Sequence, residues 1–187
     1  MTRGTVTFYT GCMFSGKSLS LIERVKELGK SFECFKPAID TRSGNFIVSR
    51  DASERLAANS IEDIREAIDS NADVVVFDEA QFFKCVNYKE VINSLRDKCK
   101  IELIGGLDRI ANGKHWEIYP LILELADEVV NLTARCNICG GVATYTKKLR
   151  GSDAEVDIEG EGTVFIPVCA SCFGVDDNPS PRKPDIH

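Results

Sequence analysis

Residues 11–18 read Gly11-Cys12-Met13-Phe14-Ser15-Gly16-Lys17-Ser18, a full match to G-x-x-x-x-G-K-[ST], and no other stretch restricts the fold as tightly. The pattern needs a particular setting. A buried strand must lead into a glycine turn, and a helix must begin at its end, so that backbone N–H groups and the helix N-terminus face one polyphosphate. The flanks meet that demand. Thr5-Val6-Thr7-Phe8-Tyr9-Thr10 reads as a buried strand, and Ser18 to Lys30 carries Leu19, Leu21, Ile22, Val25 and Leu28 at helical spacing. In that setting Gly11, Ser15 and Gly16 shape the phosphate cradle, Lys17 reaches the β- and γ-phosphates, and the Ser18 hydroxyl ligates Mg²⁺. The alternative is a chance glycine-rich turn, against which the two flanking elements count. A nucleoside triphosphate site is expected.

The rest of the chain repeats the alternation. Phe32 to Pro37 reads as a short strand stopped by its proline, and Asp73 to Asp78 as a strand buried on both faces. Ile101 to Gly105 and Glu128 to Leu132 give two more strands. Between them, Ser60 with Asp63 reads as a capping box opening a helix striped by Ile61, Ile64 and Ile68. Tyr88–Lys98 and His115–Asp127 are further helices, the second with Pro120 in its first turn or at a kink. Ala38 to Asn59 is polar, weakly patterned and long for a connection, which points to function or mobility. Alternating strands and helices imply an α/β fold: a P-loop NTPase-type parallel sheet flanked by helices.

A chain of 187 residues holds one core and a small appendage. The expected division is 1–135 for the α/β domain, 136–173 for a cysteine-rich unit and 174–187 for a proline-rich, disordered tail. A net charge of −6 without a basic stripe argues against broad nucleic-acid binding. No apolar run approaches the roughly 20 residues of a membrane span. Met1-Thr2-Arg3-Gly4 enters the first strand directly, so no signal peptide and a cytoplasmic location are expected.

Two constellations carry further chemistry. Val74-Val75-Val76-Phe77-Asp78-Glu79 delivers carboxylates at the C-terminal end of a strand, where α/β sheets place ligands. Asp78 suits Mg²⁺ and Glu79 suits proton acceptance from an attacking hydroxyl or water. An acidic turn after a core strand is the plainer alternative. Cys136-x-x-Cys139 and Cys169-x-x-Cys172 form two knuckles suited to one structural Zn²⁺, the alternatives being buried cysteines or a redox pair. Cys12, Cys34, Cys85 and Cys99 read as core or helix residues, although Cys12, near a helix N-terminus, is placed to have a lowered pKa. Asp40-Thr41-Arg42 is either a solvated pair or a loop that clamps transferring charge.

Taken in order, the loop Gly-x-Met-Phe-Ser-Gly-Lys-Ser, then Asp40-Thr41-Arg42, Asp78-Glu79-Ala80-Gln81-Phe82-Phe83, Gly106-Leu107-Asp108 and the four-cysteine ribbon resemble the type II thymidine kinases. The resemblance is collinear from about Gly4 to Cys172. It implies transfer of the γ-phosphate of ATP to the 5′-hydroxyl of thymidine, with Glu79 as catalytic base. Lys17, Ser18, Asp78 and Gln81 fall at ATP and Mg²⁺ positions, and Arg42 at a loop arginine beside the reacting phosphates. Met13, Phe82, Leu107, Trp116, Thr146 and Phe165 fall at the walls of the base pocket, under a lasso spanning about Ile158 to Val168. A homotetramer and feedback by thymidine triphosphate are implied as well.

This chain departs from the pattern at Cys12, at Ala111 in place of an aromatic, at Phe165 in place of a tyrosine, and in an acidic lasso. Loss of an aromatic wall removes roughly 1–3 kcal/mol of apolar contact unless Trp116 fills the space. The wider pocket extends the expected range to deoxyuridine or another pyrimidine deoxynucleoside. Two rival readings are a P-loop ATPase and a zinc-ribbon module that only senses nucleotide. Loss of zinc is expected to abolish nucleoside binding before ATP binding.

Overall fold

A computed structural model of the chain describes residues 3–98, 100–154 and 162–174. Strand β1 (Thr5–Gly11) runs into helix α1 (Lys17–Leu28), followed by β2 (Phe32–Pro37), a hairpin of β3 (Phe46–Val48) and β4 (Arg55–Ala57), and β5 (Asn59–Ile61). After a 3-10 turn come β6 (Val74–Phe77), helix α2 (Tyr88–Asp97), β7 (Ile101–Leu107), helix α3 (Ile118–Leu125) and β8 (Glu128–Leu132). Six strands form one parallel sheet in the order β5-β2-β6-β7-β1-β8.

Side-chain alternation along these strands divides the core in two. Val6, Phe8, Val75, Phe77 and Ile104 face α2 and α3, meeting Tyr88, Val91, Ile92, Leu95, Ile118 and Ile122. Tyr9, Val74, Val76 and Leu103 face α1, meeting Leu21, Ile22 and Val25. One polar residue breaks the first layer. Glu102 on β7 is fully buried, and burial pushes its carboxyl up to about 9.

The polar stretch 38–59 is ordered as the β3–β4 hairpin because Ile47 and Leu56 bury against α1 and its neighbours. The helix expected from Ser60 is absent. Asn59–Ile61 instead pairs in parallel with Phe35–Pro37 at the sheet edge. The full capping box lies three residues on, where the Asp63 side chain accepts from Arg65 N–H and the Glu66 side chain accepts from Asp63 N–H. It caps only the 3-10 turn Ile64–Ala67. Pro120 does sit in the first turn of α3, where its missing N–H breaks no bond.

After β8 the chain forms β9 (Ala134–Arg135) against β10 (Val142–Ala143), then β11 (Tyr145–Arg150) against β12 (Val164–Val168), and ends in a single helical turn, α4 (Ala170–Phe173). Of the expected lasso, Ile158–Glu161 lie outside the described residues, as do the expected tail from Val175 on and Cys99.

Candidate active site

The phosphate loop is shaped by what the backbone must pass. A Cβ on Gly11 would stand 2.2 Å from the Leu132 carbonyl oxygen, so β8 leaves space only for glycine there. Gly16 caps α1 in the left-handed region at φ 84. Phe14 also takes a positive φ of 67, and the Arg50 guanidinium stacks 3.8 Å from its ring centroid. An inverted backbone at a non-glycine residue is held by its surroundings; here the β3–β4 hairpin supplies Arg50 as a cation–π lid. Lys17 Nζ donates to the carbonyls of Cys12 (2.7 Å) and Gly11 (3.3 Å) and to Ser15 Oγ (3.4 Å). Burial lowers its pKa, opposed by Glu79, Cys12, Asp78 and Asp108.

Strand β7 separates β1 from β6, which sets their ends about 10 Å apart across two strand spacings. Side chains bridge that gap over β7, and Gly105 and Gly106 make the bridge possible. A Cβ at Gly105 would lie 2.9 Å from Asp78 Oδ1, and one at Gly106 would lie 3.4 Å from Gln81 Oε1. Ser18 Oγ donates to Asp78 Oδ2 at 2.8 Å. Burial, with the Glu79 charge beside it, pushes the Asp78 carboxyl up to about 6. A buried carboxylate paired with a hydroxyl at a helix start fits a divalent cation, whose charge would offset that penalty.

Glu79 follows in the left-handed region at φ 52. Its Oε1 accepts from Arg42 Nη2 at 2.5 Å and its Oε2 accepts from Gln81 Nε2. Arg42 Nε in turn donates to Asp40 Oδ1 at 2.7 Å, and Asp40 Oδ2 lies 3.3 Å from the buried ammonium of Lys36. Desolvation opposes ionisation of Asp40, but Arg42 and Lys36 together hold its carboxyl below the ordinary range; the same pairing raises the Arg42 pKa against desolvation. Asp40-Thr41-Arg42 is therefore no solvated pair: it leads from the sheet to Glu79. Lys36 and Arg50 were not singled out from sequence. Lys36 closes a strand just before a proline, a weak signal; Arg50 sits at a hairpin tip that no pattern marked.

A cavity of about 700 Å³ runs from this cluster to an apolar end. Its lining includes Gly16, Lys17, Ser18, Arg42, Asp78, Glu79 and Gln81 at one end. Met13, Phe82, Leu107, Trp116, Thr146 and Phe165, the expected base walls, line the same cavity. Gly11 and Ser15 lie behind this lining, Gly11 against β8 and Ser15 on Lys17. The size suits a small molecule. Phe82 and Trp116 meet edge to face at 5.6 Å. Ala111 lines the cavity and also borders a second hollow beside Asn112, Lys147 and Lys148.

The ribbon brings Cys136, Cys139, Cys169 and Cys172 together, with their Sγ atoms all within 4.8 Å of one another. Cys139 and Cys169 Sγ stand 3.7 Å apart. Four Zn–S bonds of about 2.3 Å at tetrahedral angles require S···S edges of about 3.8 Å. The donor set fits Zn²⁺ and leaves no open position. The ribbon also touches the phosphate loop. Met13 N–H donates to Thr146 Oγ1 at 2.9 Å, and the Cys12 thiol donates to the Ala143 carbonyl at 3.5 Å. Cys12 packs with Cys136, Ala143 and Val168. Burial pushes its thiol up, with Lys17 only partly opposing, which overturns the lowered pKa expected from its place in the loop.

A family profile described as thymidine kinase matches residues 4–173. A thymidine kinase of Coprothermobacter proteolyticus is 37% identical over 160 residues, covering 82% of this chain and 80% of the relative. A thymidine kinase of Bacteroides fragilis is 35% identical over 177 residues, covering 91% and 87%. One from Pseudothermotoga lettingae is 33% identical over 177 residues, covering 91% and 95%. Among the described residues no helix is long and apolar enough to cross a membrane. With the match running from the first strand through the last cysteine of the ribbon, the chain belongs to the thymidine kinase family.

Proposed function

We propose that the protein transfers the γ-phosphate of ATP to the 5′-hydroxyl of thymidine, giving thymidine monophosphate and ADP. The observation that carries this reading is one cavity that joins a phosphate loop and two carboxylates to an apolar nucleoside-sized end. Phosphoryl transfer needs positioning and charge neutralisation more than covalent help. Lys17 and the loop N–H groups bind the polyphosphate, and Arg42 lies where charge develops on the transferring group. Ser18 and Asp78 would hold Mg²⁺, which when bound neutralises phosphate charge. Glu79 takes the 5′-hydroxyl proton as the new O–P bond forms; the bond to the bridging β–γ oxygen breaks and ADP leaves with its electron pair. A carboxylate has about four acceptor sites, so the donors from Arg42 and Gln81 leave room for the hydroxyl. The four cysteines would hold a structural Zn²⁺ that fixes the ribbon.

Ala111 favours one extension of this reading. The wall there is a methyl group where an aromatic is expected, so deoxyuridines with larger base substituents join thymidine as substrates. A homotetramer and inhibition by thymidine triphosphate belong to the reading through the family resemblance. Light scattering and a titration of that nucleotide test them.

The decisive measurement is ADP release from Mg-ATP with and without thymidine, with Glu79→Gln alongside. Thymidine should stimulate the wild type, and the variant should lose roughly 10²–10⁴ in turnover while still binding ATP. ATP hydrolysis indifferent to any nucleoside would support a simple ATPase instead. Undiminished turnover in the variant would move the base elsewhere.

A further inference from the structure

We infer that Gln81 is a positioning residue for Glu79: its carboxamide ties the base to β7, and its ends are committed within the protein rather than to ATP. This rests on the reading of Glu79 as general base. Gln81 is only 6% exposed, at the first turn after β6. Its Oε1 accepts from the Leu107 backbone N–H at 3.0 Å. That bond fixes which way the amide points, because a backbone N–H can only donate. The NH₂ end then faces Glu79 Oε2, to which it donates.

The neighbouring geometry explains why such a tie is needed. Glu79 has a left-handed backbone, so ordinary strand or helix geometry does not aim its side chain. Arg42 holds one carboxylate oxygen, but from a loop; Gln81 holds the other from the turn after β6, anchored to Leu107 on β7. Gly106 lets the amide lie close on β7, where a Cβ would press on the Ala80 side chain at 3.3 Å and touch Gln81 Oε1 at 3.4 Å. The chain of bonds from Leu107 N–H through Gln81 to Glu79 thus fixes the base to an interior strand of the sheet.

Two variants separate positioning from ATP binding. Gln81→Glu keeps an acceptor for Leu107 N–H but replaces the donor to Glu79 with a like charge. Gln81→Met keeps the bulk and removes both bonds. For both, kcat should fall by about 10²-fold, the scale of a misplaced catalytic group, while the directly measured ATP dissociation constant stays put. The Michaelis constant for thymidine should stay near the wild-type value, so that the loss falls on kcat, as expected when a reacting group is mis-aimed rather than a substrate contact removed. In crystal structures of both variants the Glu79 carboxylate should leave the position it holds between Arg42 and Gln81, a readout independent of turnover. Near-UV circular dichroism checks that the variants fold.

A tenfold loss of ATP affinity with saturated kcat intact would make Gln81 a nucleotide contact and overturn the inference. A Glu79 carboxylate that keeps its wild-type position in both variants would overturn it equally. Wild-type protein that shows no thymidine-dependent turnover would sink the proposed reaction. The position of the Glu79 carboxylate in the two variants would still decide whether Gln81 governs it.

Discussion

The two ends of the cavity are built by opposite means. At the phosphate end, Lys17 and Ser18 open the helix that follows β1, and Asp78 and Glu79 lie in the turn that follows β6, two buried strands of one parallel sheet, so the fold itself places them. At the apolar end, proposed for the nucleoside, the lining comes from separate segments: Met13 from the loop, Phe82 after β6, Leu107 at the end of β7, Trp116 before α3, and Thr146 and Phe165 from the ribbon. The first end depends on packing that the sheet already requires. The second depends on a hairpin pair held by a cluster of four cysteines with little core of its own. On the proposed reading, reaction chemistry is fixed by the fold, and substrate range by the parts most easily changed.

The largest test of that contrast is metal removal. If the ends were independent, chelation would abolish nucleoside binding and leave ATP binding intact. The bonds from Met13 to Thr146 and from Cys12 to Ala143 say otherwise. Holding four clustered thiolates without a cation is costly, and small ribbons fold on their metal. Zinc removal should then abolish thymidine binding and also weaken ATP binding, read by calorimetry on the same chelated sample. Unchanged ATP affinity would restore the simple division.

A milder cut sharpens the same point. Thr146→Val keeps the shape of the wall but takes the acceptor from Met13 N–H. An unsatisfied buried donor costs about 1–3 kcal/mol, so ATP affinity should drop by roughly tenfold with the zinc site intact. Loss confined to thymidine affinity would make Thr146 a wall residue alone. Smaller again is Ala111→Phe. It should improve kcat/KM for thymidine by up to about tenfold through regained apolar contact and disfavour deoxyuridines carrying bulky base substituents. A variant with an unchanged ranking of substrates would remove Ala111 from the determinants of range.

How much of this was legible follows the same division. The buried strands announce themselves because continuous apolar runs such as Val74–Phe77 have few other uses, and the phosphate loop and Asp78-Glu79 are contiguous in sequence. The cysteines are legible through matched spacing. The β3–β4 hairpin was not, since three-residue strands with Ile47 and Leu56 as their buried anchors leave no period to read. Ser60 imitated a cap while the real box sat at Asp63 and Glu66, and edge pairing with β2 took the segment instead. The bond between Gln81 and Leu107 spans 26 positions and exists only because β7 lies beside β6. Cys12 was misread for a related reason: helix proximity is visible in sequence, but the ribbon that buries it is not.

The smallest effect on the cavity should come from Glu102, which nonetheless gives the sheet a pH signature. It lies fully buried near the start of β7, at the opposite end of the strand from Gly105 and Gly106, and desolvation raises its carboxyl to about 9, with Arg96 and Arg3 opposing and Asp127 adding to the shift. Arg96 is committed elsewhere, to the Leu125 carbonyl and both Asp127 oxygens. The unfolded chain releases this proton near the ordinary carboxyl value of about 4.3. The folded chain keeps it, so the contribution is fully present below that value and is lost as pH rises toward about 9. Glu102→Gln preserves the shape and removes the titration. Its melting temperature should fall less than the wild type's between about pH 5 and pH 9, with saturated kcat unchanged. Parallel melting curves would mean that Glu102 is ionised and paired with Arg96 inside the sheet's helix layer, and that the end of the cavity built by the fold rests on a buried ion pair after all.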